Sequence, residues 1–312
     1  MNKKYLHTIS VALLLCFFCN KVFSNSKECN IATANILATE VGCEILANGG
    51  NAFDAAVAVT AALSVVEPFS SGLGGGGFYL LYSKNTDKNI FIDAREVAPK
   101  NIKVDLYKTK ESREKKKSLV GVSSAAIPGI PAAIDYINRT YGNLTLSENL
   151  NSSIHLAEKG FVVDNRFLRA IDYKSKTLNN FENSKKIFSK IDINNRFLIQ
   201  KDLANTLKAI ALKGRDGFYK GPVANEIIKS VKKQGGIWTL SDLEKYKIIL
   251  RKPIKFKYQG AKIITAPLPS SGGIVMKQVF TILKDFPINF FHTNLGHHYL
   301  IETFRHAYND RA

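Results

Sequence analysis

The 312-residue sequence predicts a single mixed domain of the α/β or α+β class. Three observations carry that expectation. Segments with apolar residues at helical spacing alternate with short strand-like runs that pair around turn residues. A hydrophobic content of 45% against 22% charged residues suits a globular chain with a sizeable core. No internal repeat, low-complexity tract or linker divides the sequence.

The first 24 residues stand apart as an export signal. Lys3 and Lys4 precede an apolar run from Ile9 to Cys19, and Val22 and Ser24 suit cleavage after Ser24. The run is too short to span a bilayer, so an exported protein, periplasmic or extracellular, is expected. Cys16 and Cys19 match a redox C-x-x-C only formally, because they lie inside that run. Cys29 and Cys43 remain. They can form a disulfide in an oxidising compartment, or stay as a loose and a buried thiol.

From residue 25 onward the elements follow in order. "NILATEVGCEILA" (35–47) puts Ile36, Val41, Ile45 and Leu46 near one helical face, stopped by Asn48-Gly49-Gly50. Asn51 then caps a second helix, "AFDAAVAVTAALSVV", with Asp54 as its capping partner. This helix is apolar nearly all round and should be buried. "FYLLYS" and "NIFIDARE" read as a hairpin joined by "KNTDK". Helices follow in "PAAIDYINRTYG", "LNSSIHLAEKG" and "GPVANEIIKSVKKQGG", the last with Ala224, Ile227, Ile228 and Val231 on one face. "TLSDLEKY" offers a capping box between Ser241 and Glu244. "PIKFKYQGAKIITAP" reads as a hairpin turning at Gln259-Gly260. The final helices are "IVMKQVFTILKDF" and "NLGHHYLIETFRHAYND".

Gly72, Gly74 and Gly77 spell the G-x-G-x-x-G of a dinucleotide loop, with Asp93 and Glu96 as candidate ribose-binding acids. The context is reversed. A phosphate-binding loop follows a strand and opens a helix, whereas this one follows a helix and opens a strand. The glycines are expected to supply unusual backbone angles and close main-chain packing instead.

The formal net charge is +18, and removal of Lys3, Lys4 and Lys21 with the signal leaves +15. The excess is lysine spread along the chain, and its one dense run, "YKTKESREKKK" (107–117), contains glutamates and lacks interleaved aromatics. A solvated loop is expected there, and no nucleic-acid partner.

Three candidate constellations remain. His298, Glu302 and His306 share one face of the last helix, but no fourth ligand completes a zinc site. Ser270 and Ser271 in "PLPSSGG" lack the G-x-S-x-G elbow and suit a tight turn and helix cap. Arg95 shares a strand face with Phe91, Asp93 and Val97, which places a guanidinium in a mostly apolar strand. It either grips a carboxylate or pairs internally with Asp93 or Glu96.

Taken together, "ILANGGNAFDAAVAV", "GLGGGGF", "IDAREVAP", "GFYKGPVANEI", "GGIWTLSDLEKY", "PLPSSGGI" and "AYNDRA" resemble the γ-glutamyltransferases (glutathione hydrolases) in order and spacing. The resemblance runs from about Ile31 to Ala312. It implies the α+β N-terminal-nucleophile hydrolase fold, an αββα sandwich of which this is a large-subunit portion. It also implies a precursor that cuts itself, freeing a small subunit whose N-terminal threonine attacks the γ-glutamyl amide of glutathione or a similar donor. Water then gives hydrolysis, and an amino acid or dipeptide gives transpeptidation. No metal or organic cofactor is implied. Arg95, in "IDAREVAP", matches the arginine that grips the donor's α-carboxylate. The family's threonine lies beyond "AYNDRA", so no catalytic residue is assigned here and these 312 residues alone are expected to be inactive. Alternatives are a cephalosporin-acylase-like amidase of the same fold, or a non-catalytic relic.

Overall fold

The computed structural model describes residues 29–311; the expected export signal at 1–24, residues 25–28 and Ala312 lie outside the described residues. The helices are α1 (Ile36–Ala47), α2 (Ala52–Val66), α3 (Lys110–Glu114), α4 (Ile130–Tyr141), α5 (Leu146–Lys159), α6 (Asn165–Leu178), α7 (Glu182–Phe188), α8 (Lys201–Lys213), α9 (Asp216–Tyr219), α10 (Gly221–Lys233), α11 (Leu240–Glu244), α12 (Gly272–Ile282) and α13 (Asn294–Arg311). The strands are β1 (Gly77–Ser83), β2 (Lys88–Ala94), β3 (Phe161–Val162), β4 (Phe197–Leu198), β5 (Ile249–Arg251), β6 (Ile254–Tyr258) and β7 (Ala261–Thr265). They divide into two compact units. The first combines residues up to Gly72 with Ile134–Lys213, and the second combines Leu73–Ala133 with Gly214 onward.

In the first unit α2 is the central helix. Val57, Ala58, Ala61, Ala62 and Val65 are all fully buried, as an alanine-rich helix apolar all round should be. Its start is fixed by the expected capping box, in which Asn51 and Asp54 bond each other's backbone N–H groups. Asp54 does more than cap. Its buried carboxylate also accepts from the Asn143 and Leu144 amides and from Asn149 Nδ2, at 2.8–3.2 Å. One acid thus ties the α4–α5 turn to α2. The buried face of α1 is Ala38, Val41, Gly42 and Ile45. Ile36, expected on that face, is 68% exposed, because at 3.6 residues per turn it lies about opposite Ile45 around the helix. Cys29 and Cys43 form a disulfide with a Cα–Cα distance of 5.5 Å, which resolves the open choice between bridge and thiols.

In the second unit β2 is the middle strand of an antiparallel sheet, ordered β1-β2-β5. Phe78 lies opposite Asp93, and Asp93 lies opposite Ile249. The β1–β2 connection turns through Asp87 in the left-handed region (φ 47°). The β6–β7 hairpin turns where expected, with Gln259 and Gly260 both at positive φ. A local core of Val275, Val279, Leu283 and Ala307 joins α12 to α13.

Two expected caps differ. The box on α11 is made by Thr239 and Asp242 rather than Ser241 and Glu244, since the helix begins at Leu240 and buries Leu243. Burial of the Asp242 carboxyl works to raise it, but the Lys100 amide that it accepts from, followed by the Thr239 hydroxyl and amide of the cap, holds it below the usual value. Ser271 stands at the N-cap of α12 but is helical (φ −74°, ψ −18°) and makes no side-chain cap bond. The tight turn before it is present, closed by Ser270 N–H on the Pro267 carbonyl at 3.1 Å.

Candidate functional site

Strand β2 ends at Ala94, so Arg95 is not an intra-strand residue as its alternation with Phe91 and Asp93 suggested. All of Phe91, Ile92, Asp93 and Ala94 are buried, which means β2 is covered on both faces and period two marks no face. Arg95 is the first residue beyond that cover, with its side chain 58% exposed. The burial cost that made it conspicuous in the sequence is therefore not incurred.

Its backbone is held on every side. The Arg95 amide donates to Asp93 Oδ1 at 3.0 Å, and its carbonyl accepts from the Tyr246 hydroxyl at 2.9 Å. Next to it, Val97 exchanges two backbone hydrogen bonds with Ile127, at 3.2 and 2.9 Å. The glycine turn closes on the same stretch. A Cβ on Gly76 would lie 2.6 Å from the Ala94 carbonyl and 2.7 Å from the Glu96 nitrogen. One on Gly129 would lie 2.0 Å from the Ala94 carbonyl and 2.3 Å from the Tyr246 hydroxyl. The Gly129 and Ile130 amides both donate to the Gly75 carbonyl, at 2.9 and 3.2 Å. Close packing is thus what the glycines supply. None of those at 72–77 takes a positive φ, so the expected unusual backbone angles are absent.

The charges sort themselves accordingly. Asp93, 5% exposed, does not pair with the Arg95 guanidinium but with Arg251, whose Nε donates to Oδ2 at 2.8 Å. Among the described residues the one acid that approaches the Arg95 guanidinium is Glu96, with Oε2 at 3.7 Å from Nε, beyond hydrogen-bond distance. The guanidinium lies 5.8 Å from the Phe78 ring centre, and its Nη groups make no hydrogen bond among the described residues. The arrangement presents a planar cationic fork from a rigid backbone, the geometry that receives a carboxylate in two parallel hydrogen bonds.

Behind Arg95, Tyr246 stacks on Tyr219 at 5.6 Å with an interplanar angle of 4°. The Tyr219 hydroxyl donates to the Pro128 carbonyl at 2.7 Å. Burial pushes both phenols far above the ordinary tyrosine value, so both remain neutral donors at physiological pH. Arg215 completes the support, with its guanidinium 4.9 Å from the Tyr219 ring centre and donating to the Tyr246 carbonyl at 2.7 Å. Gly129 and Arg251 carried no sequence signal, and Tyr246 stood in the motif "GGIWTLSDLEKY" with no role of its own. Tyr246 reaches Arg95, Arg251 reaches Asp93 and Gly129 packs on Ala94, each from a distant stretch of chain where local periodicity is silent.

Elsewhere the candidates disperse. His298 and His306 are exposed, and Glu302 is engaged by Arg305 at 2.7 and 3.0 Å. Among the described residues no three His, Cys, Asp or Glu side chains gather as a metal site would need, and no helix is long and apolar enough to cross a membrane.

Residues 38–312 match the family model described as Gamma-glutamyltranspeptidase. The chain belongs to the γ-glutamyltranspeptidase family. A glutathione hydrolase proenzyme of Pseudomonas sp. (strain A14) is 38% identical over 291 residues, covering 90% of this chain and 50% of that protein. The γ-glutamyltranspeptidase of Helicobacter pylori superposes with a TM-score of 0.87 at 34% identity, over 92% of this chain and 84% of that one. A cephalosporin acylase from Bacillus halodurans superposes at 0.77 with 26% identity, over 92% and 57%. The fold is accordingly that of the α+β N-terminal-nucleophile hydrolases, over a large-subunit portion. The chain spans about half the length of the curated relatives it matches.

Proposed function

We propose that this chain supplies the donor-gripping half of an exported γ-glutamyl amide hydrolase or transferase, with Arg95 as the clamp on the donor's α-carboxylate. The observation that carries the reading is the exposed Arg95 fork on an immobilised backbone, in a chain matched to the family along residues 38–312. A bidentate ion pair fixes both the position and the rotation of the γ-glutamyl group before attack on its amide. The nucleophile is the family's N-terminal threonine, on a small subunit from the same precursor, outside the described residues. Glutathione or another γ-glutamyl compound is the donor, and water or an amino acid the acceptor.

The test is Arg95→Ala in a family-length protein that contains this chain. Loss of the paired charge-assisted bonds should lower kcat/KM for a γ-glutamyl donor about a hundredfold, roughly 3 kcal/mol. Arg95→Lys should recover part of it at most, because an ammonium cannot reproduce the fork. Unchanged kinetics in Arg95→Ala would remove the clamp from the site. The likeness to the cephalosporin acylase motivates a second reading, an amidase for another acyl group. Hydrolysis of a bulky acyl amide in preference to γ-glutamyl amides would establish it.

A further inference from the structure

The excursion between Lys103 and Val120 joins two features that the donor site does not use. It carries seven cations against three acids, a net charge of +4. The acids are mostly spent internally. Glu111 holds Lys115 at 3.0 Å and Lys117 at 3.4 Å, and Glu114 stands 4.0 Å from Lys110. Lys115 beside it is the main reason that the Glu111 carboxyl is held below its usual value. Lys103, Lys108, Arg113 and Lys116 are exposed and have no acidic partner among the described residues. Set among these cations are Val104, 87% exposed, and Leu119, 75% exposed; no large apolar residue among the described ones is more exposed than Val104.

The excursion is also a closed structure. The chain flanking it on either side is joined at the Val97–Ile127 bridge, and the Tyr107 hydroxyl donates to the Ser123 carbonyl at 2.6 Å. Within it, the Lys117 amide returns to the Ser112 carbonyl at 3.0 Å, and Ser112 is buried. Val104 and Leu119 are therefore held out by an ordered loop, where a fluctuating one could tuck them in. A solvated basic loop has no use for ordered apolar tips. A surface that binds lipid headgroups does, since unpaired lysines meet anionic headgroups while short apolar side chains enter the acyl boundary.

We propose that the 103–120 excursion is a peripheral docking surface for an anionic lipid bilayer. The four unpaired cations supply attraction and Val104 and Leu119 supply insertion. A nucleic acid or other soluble polyanion would need the cations and not the apolar tips.

The experiment is co-sedimentation of the chain with vesicles of phosphatidylcholine alone or mixed with phosphatidylglycerol. Binding should require phosphatidylglycerol. Replacing Lys103, Lys108 and Arg113 by Ala and Lys116 by Gly should weaken it at least about tenfold, as each cation near the surface contributes separately. Val104→Ser with Leu119→Ser should weaken it several-fold at unchanged charge. A control lacking Lys176, Lys185, Lys186 and Lys190 should bind as before, and each variant's melting temperature confirms folding. Absence of binding by the unaltered chain overturns the proposal. So does equal loss in the control, which would mean net charge alone. So does full binding by the Val104/Leu119 variant, which would identify a polyanion site.

Discussion

At Gly129 a single hydrogen in place of a methyl group decides whether the Arg95 segment can exist. A Cβ there would overlap the Ala94 carbonyl, which is fixed backbone and cannot step aside. Gly129→Ala should cost about 2–3 kcal/mol or more of stability, the usual range for overpacking a rigid site. Gly74→Ala serves as its counterpart, because nothing lies within 4 Å of that Cβ. It should change stability by no more than about 0.5 kcal/mol. Urea unfolding of the two variants distinguishes them, and equal effects would show that the glycine turn does not act by close approach. Arg95 itself belongs to the same scale. Its backbone hydrogen bonds to Asp93 and Tyr246 fix where the guanidinium starts, so the test of its role is kinetic rather than thermodynamic.

At the scale of the element, the end of α2 carries an acid in an unusual setting. Glu67 is buried and caps the helix, and Arg166 on α6 donates to it at 2.6 Å. Burial raises its carboxyl above the ordinary value of 4.5, with Arg166 opposing and Asp164 adding to the rise. The folded protein therefore holds a proton that the unfolded chain releases. Its contribution to stability is fully present below the ordinary carboxylate pKa and is lost as pH rises through the raised one. Glu67→Gln should flatten that part of the melting-temperature profile. An identical slope in the variant would show that another group titrates there. The element scale also explains the shifted cap on α11. Ser241–Glu244 and Thr239–Asp242 both have the right spacing, and burial of Leu243 in the helix selects the earlier start.

For the whole molecule, the Cys29–Cys43 bridge acts through the unfolded chain. The residues it joins are 14 apart, and closing a loop of that size removes about 3 kcal/mol of conformational freedom from the denatured ensemble. Reduction, or Cys29→Ser with Cys43→Ser, should lower unfolding stability by about that amount at unchanged fold. A melting temperature insensitive to reductant would mean the bridge contributes nothing. An oxidising destination is consistent with the export reading of residues 1–24. The second unit shows the same dependence on distant partners. Asp93, Arg251, Tyr246 and Tyr219 form one supported group although they lie far apart in the chain.

The sequence alone determined the local elements whose signals are local. The Asn51–Asp54 box, the Gln259-Gly260 turn and the buried α2 follow from capping, φ preference and apolar spacing within a few residues. Arg95 was singled out by sequence too, but for a burial it does not have. Only the tertiary structure decided which arginine Asp93 pairs with, which hydroxyl holds the Arg95 carbonyl, and that Gly129 rather than Gly74 is sterically required. Those outcomes depend on contacts between residues up to 158 positions apart. Packing selects them, and no periodicity along the chain encodes them.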